Sequence, residues 1–202
     1  MQKAIVNQPN DITELQQRIA LYEDMKAYET LYSVLSPQLV NFCFSFVKSR
    51  ETAEEIVSDV FIKLWQIRSK LTEINNLKVY LYTIARNFSL NYITRHFKNP
   101  VIHIEEMDFE PVLSLGNPED LCIAAEVLQT IRQCIRELPP QCRIVFQLVK
   151  EDGMSYKEAA EVLNISVLTV RNQVFIATRK IAALIPGYLH AHVFQTGRRS
   201  AS

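Results

Sequence analysis

Four cysteines and four histidines could hold a metal or supply a nucleophile and a base: Cys43, Cys122, Cys134, Cys142, His96, His103, His190 and His192. A structural zinc site takes four nitrogen or sulfur ligands, usually in close pairs along the chain. Only His190 and His192 lie close together here, no CxxC pair exists, and the spacings match none of the familiar patterns. Cys43 and Cys134 sit in apolar helical stretches, where a free thiol behaves as a small hydrophobe. A Gly-rich phosphate loop, HExxH and GxSxG are also absent. No catalytic residues, no metal and no cofactor are therefore expected.

What the chain does offer is the chemistry of recognition, in three places. Thr169, Arg171, Asn172, Phe175, Arg179 and Lys180, with Leu168, share one side of a segment that has no acid from Ser166 to Leu184. Guanidinium forks and amides are the groups that match base edges in the major groove. Lys78, Tyr82, Arg86, Asn87, Asn91 and Arg95 line much of a second segment. Aromatic rings stack on unpaired bases and amides read their edges, so this set suits single-stranded nucleic acid. In a third segment Asp59, Ile62, Lys63 and Gln66 fall outside the apolar stripe while Trp65, the only tryptophan, borders it. An exposed Ile beside an acid and an aromatic edge fits a protein-binding face. Each set also has a plainer reading as a solvated helix face.

The elements that must carry these residues are helices. Residues 152–184 read as two helices joined by a very short turn. Ser155 caps the first, with Glu158 completing a capping box; Asn164 takes the left-handed turn position; Ile165 is a buried plug and Ser166 the second cap. Val170, Val174, Ala177, Ile181 and Leu184 form the apolar face of the second helix. This is a helix-turn-helix with its reading helix second, against the alternative of a simple helical hairpin. Upstream, helical period starts at Ile12, breaks near Asp24 and restarts at Pro37. Thr52 with Glu55 caps a helix over 52–68, and another runs from Leu77 to Phe97 with Leu77, Leu81, Ile84, Ala85 and Phe88 buried. Residues 99–117 carry prolines and an acid cluster and read as a linker. Helix resumes at Asn117–Pro118–Glu119 and runs to Leu138, a corner follows at Pro139–Pro140, and Gln141–Lys150 is helical. The expected class is all-α: two small helical domains, 12–98 and 118–185, an acidic flexible linker between them, and a disordered tail at 186–202.

With 22 basic and 22 acidic residues the net charge is zero, yet the charge is segregated. From Gln66 to Pro100 there are six Lys or Arg and one acid, whereas Val101–Glu126 holds seven acids and no Lys or Arg. Such segregation suggests two basic contact surfaces separated by an acidic connector. No apolar run approaches bilayer-spanning length and the first residues do not form a signal peptide, so the cytoplasm is the expected location, without direct membrane insertion.

Several stretches resemble the bacterial extracytoplasmic-function (ECF) sigma factors of the sigma-70 family: Tyr32, AEEIVSDVFIKLW (53–65) and LYTIARN (81–87), then LPPQCRIVF (138–146), GMSYKEAA (153–160) and TVR (169–171). The resemblance spans roughly residues 12–185, with the motifs in the family's order. It implies a factor that joins core RNA polymerase and directs it to promoter DNA. In the family the DVFxxLW helix grips a coiled coil of the largest polymerase subunit, which places Asp59, Ile62, Leu64 and Trp65 at that contact. The next helix recognises and melts the minus-ten element, which assigns Asn76, Lys78, Arg86, Asn87, Asn91 and Arg95 to it. There Asn87 and Asn91 face a flipped base, with the Asn75–Leu77 loop walling its pocket. The reading helix enters the minus-thirty-five major groove, which assigns Ser155, Thr169, Arg171, Asn172, Phe175 and Arg179, with Ile176 alongside. An anti-sigma factor, often membrane-anchored, is the further partner implied. The chain departs from the pattern at Asn164, where Gly is usual, and at Leu168 and Ile176, where many relatives carry polar or basic side chains. The cluster ending the minus-ten helix is thinned to Arg95, His96 and Lys98. The rival reading is a helix-turn-helix regulator that never joins the polymerase.

Overall fold

A computed structural model of the chain describes residues 11–96, 133–135 and 137–184. The expected linker at 99–117, residues 118–132 of the helix expected to run to Leu138, the tail at 186–202, and Cys122, His103, His190 and His192 lie outside them. All described regular elements are helices: α1 (Ile12–Tyr22), α2 (Met25–Val47), α3 (Arg50–Gln66), a 3-10 segment (Arg68–Glu73), α4 (Leu77–His96), α5 (Pro140–Phe146) with a π-helical turn at Gln147–Glu151, α6 (Tyr156–Leu163) and α7 (Val167–Leu184). They fall into two compact units: α1–α4 together with 157–165, and the remainder.

The break between α1 and α2 is built by charge and chirality together. Glu23 adopts left-handed backbone (φ 51°), ending α1. The Asp24 carboxylate accepts from the Lys26 and Ala27 amides at 2.9 and 3.1 Å and from Arg18 Nη2 at 2.7 Å. The Arg18 guanidinium, then the capped amides, hold this carboxyl below its ordinary range.

Helix α2 corrects the sequence reading at Pro37. Proline cannot donate to the carbonyl four residues back, so a new start was expected there. The helix instead runs unbroken through it, because Leu31, Leu35, Leu39, Phe42 and Cys43 keep one continuous buried row on both sides of an exposed Pro37 ring. Joined in this way, its 23 residues are long and apolar enough to cross a membrane by length and composition. Nine of them are buried in this domain, packed towards α1, α3 and α4.

Helix α3 begins earlier than its sequence suggests. The cap is Ser49, whose Oγ accepts from the Thr52 amide at 3.2 Å, while Thr52 itself is buried. On α4 the inward residues are Leu77, Val79, Leu81, Tyr82, Ala85 and Ser89; Ile84 and Phe88 are only half-buried. Tyr82, expected outside, has its ring 5.0 Å from that of Phe42 in the middle of the core. Gln16 is a buried polar side chain with a positioning task. From α1 its amide donates to the carbonyls of Leu71 and Ile74 (2.7 Å for the latter), pinning the segment that leads into α4.

In the second unit Cys134, Ile135, Leu138, Cys142, Ala177 and Ile181 form a hydrophobic cluster with Phe146 against it. Burial raises the thiols of Cys134 and Cys142 and pushes Cys43 in the first unit up to about 12, so these thiols stay protonated at neutral pH. Helix was expected over Gln141–Lys150. The observed helix widens into a π turn that the Asp152 amide closes onto the Gln147 carbonyl at 2.9 Å. Asn164 has φ 54°, the left-handed turn conformation its identity suggested, and Ile165 is half-buried.

Candidate functional site

On α3 the outward face is Asp59, Ile62, Lys63 and Gln66, all exposed, and Ile62 keeps 54% of its surface in water. Leu64 does not belong to it. Two residues from Ile62, it points the opposite way round the helix and is 0% exposed, so it is core, and its place in a contact set is corrected. Trp65 is half-buried: the Tyr28 ring meets it edge-on at 5.1 Å and the Arg68 guanidinium lies 4.9 Å from its ring centre. Arg68 is itself held by Glu23 at 3.0 Å. Tyr32, 41% exposed, packs on Phe61 at 4.7 Å. Tyr28 and Tyr32 thus extend Trp65 into an aromatic rim beside Ile62. Their four-residue spacing on α2 was the available signal for Tyr28, which the motif reading missed.

The second face belongs to α4. Asn76 is a structural residue first: its Oδ1 accepts from the Val79 amide at 3.1 Å, capping the helix, and its Nδ2 donates to Glu158 at 2.6 Å within the same unit. Asn87, Asn91 and Arg95 are exposed at successive four-residue steps, which lines them up along one stripe. Lys78 and Arg86 are half-buried at its edge, and Arg86 Nη1 donates to Asn87 Oδ1 at 3.4 Å. Tyr82, being in the core, offers no ring to a base. Tyr92 and His96 provide aromatic surface instead, stacked with ring centres 4.1 Å apart in the last turns of α4.

The third face is on α7. Ser166 Oγ accepts from the Thr169 amide at 3.0 Å and lies 2.8 Å from Thr169 Oγ1, so the Thr169 hydroxyl is engaged in the cap. Val170, Val174, Ala177 and Ile181 are buried, as their spacing predicts; the Leu184 side chain is outside the described set. Opposite them Arg171, Asn172, Phe175 and Arg179 are exposed, with Arg179 5.8 Å from the Phe175 ring centre. Leu168 and Ile176 stand exposed among them. Ser155 is exposed immediately before α6. Among the described residues no group of three His, Cys, Asp or Glu is placed to hold a metal.

Comparison with known proteins assigns two stretches of the chain. Residues 31–98 match the model for sigma-70 region 2, and residues 128–181 match the model for sigma-70 region 4. The ECF RNA polymerase sigma-E factor of Escherichia coli (strain K12) is 28% identical over 165 residues, spanning 78% of this chain and 86% of that protein. The RNA polymerase sigma-H factor of Pseudomonas aeruginosa is 24% identical over 165 residues with the same coverage. Among solved structures, CnrH in complex with the cytosolic domain of CnrY matches with a TM-score of 0.55 and 21% identity, over 86% of this chain and 97% of that one. The sigma factor RpoE in complex with the anti-sigma factor NepR from Bartonella quintana matches with a TM-score of 0.56 and 21% identity, over 79% and 96%. These two share the fold. With both sigma-70 regions present in order and together covering more than half of its length, the chain belongs to the ECF sigma factors of the sigma-70 family.

Proposed function

We propose that this chain acts as a sigma factor: it binds core RNA polymerase through the α3 face, engages the minus-ten element with α4, and reads the minus-thirty-five element with α7. The observation that carries this reading is the presentation of the recognition side chains. Asp59 and Ile62 on α3, Asn87, Asn91 and Arg95 on α4, and Arg171, Asn172 and Arg179 on α7 all face solvent on rigid helices whose opposite sides are core. Asn87 and Asn91 lie one turn apart, so both amides can address one unstacked base. Arg171 and Asn172 lie in the first turns of α7, where a reading helix reaches base edges. Leu64 supports the α3 face from the core, and Asn76 orders the start of α4. CnrH and RpoE were solved with CnrY and with the anti-sigma factor NepR. An anti-sigma partner is accordingly expected for this chain as well.

The test is a crossed titration at one fixed salt concentration, with duplex minus-thirty-five DNA and single-stranded minus-ten DNA. Arg171→Ala is expected to weaken duplex binding by about 5- to 150-fold, since a good base contact discriminates by about 1–3 kcal/mol, and to leave the single strand alone. Asn87→Ala is expected to relax base preference on the single strand and leave the duplex alone. Loss of duplex affinity in both variants would make the chain an ordinary helix-turn-helix regulator.

A further inference from the structure

The outward side of α7 pairs cationic and amide groups with large apolar ones. At about 100° per residue, Leu168, Asn172, Phe175 and Arg179 fall within about 60° of one another, opposite the buried Val170, Val174, Ala177 and Ile181. Leu168 is 63% exposed, Phe175 60% and Ile176 40%. The same helix exposes Arg171, Arg179 and Lys180 and carries no acid. An occupant for this surface must be anionic overall yet present small apolar groups at fixed points. Duplex DNA does so in its major groove, where the thymine C5-methyl is the apolar feature among hydrogen-bonding edges.

We propose that Leu168 and Phe175 read thymine C5-methyl groups in the minus-thirty-five duplex, which makes Leu168 a specificity-determining residue of this sigma factor. The inference rests on the assignment of α7 to that element. Seven residues separate the two side chains along the axis, about 10 Å, or about three base-pair steps of about 3.4 Å. Between them Asn172 is placed to address an adenine edge and Arg171 a guanine, so each kind of side chain meets its own feature of the groove. Arg179, beside the Phe175 ring at 5.8 Å, restricts where that ring lies. The chain reads these steps by methyl burial and so selects thymine at them.

The experiment uses the full chain assembled with core polymerase. Duplexes are first selected from a pool randomised over the minus-thirty-five element, and each selected thymine is then replaced by deoxyuridine, which removes one methyl and keeps every hydrogen bond. The expected result is a loss of about fourfold at each of two positions about three steps apart, the effect of exposing one buried methyl. Leu168→Ala is expected to abolish the sensitivity at one position and Phe175→Ala at the other. Both side chains are exposed, so neither change should affect folding. If deoxyuridine has no effect on the wild-type protein while Arg171→Ala still weakens the duplex, methyl reading is overturned and the duplex assignment stands. If Arg171→Ala also has no effect, the assignment of α7 fails and the inference with it. If Leu168→Ala and Phe175→Ala retain the full deoxyuridine sensitivity, the patch serves a protein partner and the inference is wrong.

Discussion

Ile62 and Leu64 stand two residues apart in one motif, and the structure gives them opposite environments. Ile62 is 54% exposed and Leu64 0%. Truncating Leu64 to Ala removes buried methyl groups and leaves a cavity beside Phe61 and the α2 core, a change that costs about 3 kcal/mol in well-packed sites. With a urea m-value of about 1.5 kcal/mol/M for a domain of this size, the unfolding midpoint should fall by about 2 M. Ile62→Ala removes surface already in water, so its midpoint should move by less than about 0.5 kcal/mol in equivalent stability. On polymerase the order reverses. An apolar anchor at the centre of a desolvated contact is worth about 2 kcal/mol, so Ile62→Ala should weaken core-polymerase binding by about 30-fold. Urea unfolding is read from the fluorescence of Trp65, the only tryptophan in the chain, and binding by competition with labelled wild-type protein. Equal urea shifts for the two variants, or undiminished polymerase affinity for Ile62→Ala, would refute the reasoning.

Gln16→Leu should destabilise the first unit by about 2 kcal/mol in urea unfolding, since two carbonyl acceptors lose their donor, and should weaken single-stranded minus-ten binding more than duplex binding because the entry to α4 is released. Asn164→Ala should lower the thermal midpoint by about 5 °C, from about 1 kcal/mol of left-handed strain, whereas Asn164→Gly should not. Glu151 is an acid that burial, and then Asp152, push up to about 7. An acid whose folded value is raised binds more protons folded than unfolded, so its contribution to stability falls as pH rises from about 4.5 to about 7. Glu151→Gln should flatten the stability profile in that window, by at most about 3 kcal/mol, and an unchanged slope would remove Glu151 as its cause.

The parts of this fold legible in the sequence are those fixed by local chemistry. The helical period announced a break near Asp24, and Asn164 announced a turn through its tolerance of left-handed backbone. Val170, Val174, Ala177 and Ile181 announced a buried stripe by spacing alone. What stayed hidden depends on tertiary packing. Pro37 reads as a helix start, but the buried row on either side of it outweighs one lost hydrogen bond. Tyr82 carries both a ring and a hydroxyl, so its place in a basic segment suggested the surface, while the Phe42 ring draws it inside. Motif strings mix inward and outward residues, which is why Leu64 travelled with Ile62. Gln16 gave no signal, because its partners are backbone carbonyls more than fifty residues away.

The most direct test of the central claim is run-off transcription by core polymerase reconstituted with this chain on a promoter selected by that complex. The account predicts a defined transcript that appears only with the chain present, that is lost with Ile62→Ala at limiting concentration, and that is reduced by Arg171→Ala and Asn87→Ala acting through different promoter elements. A chain that binds duplex DNA yet yields no transcript with core polymerase would contradict it.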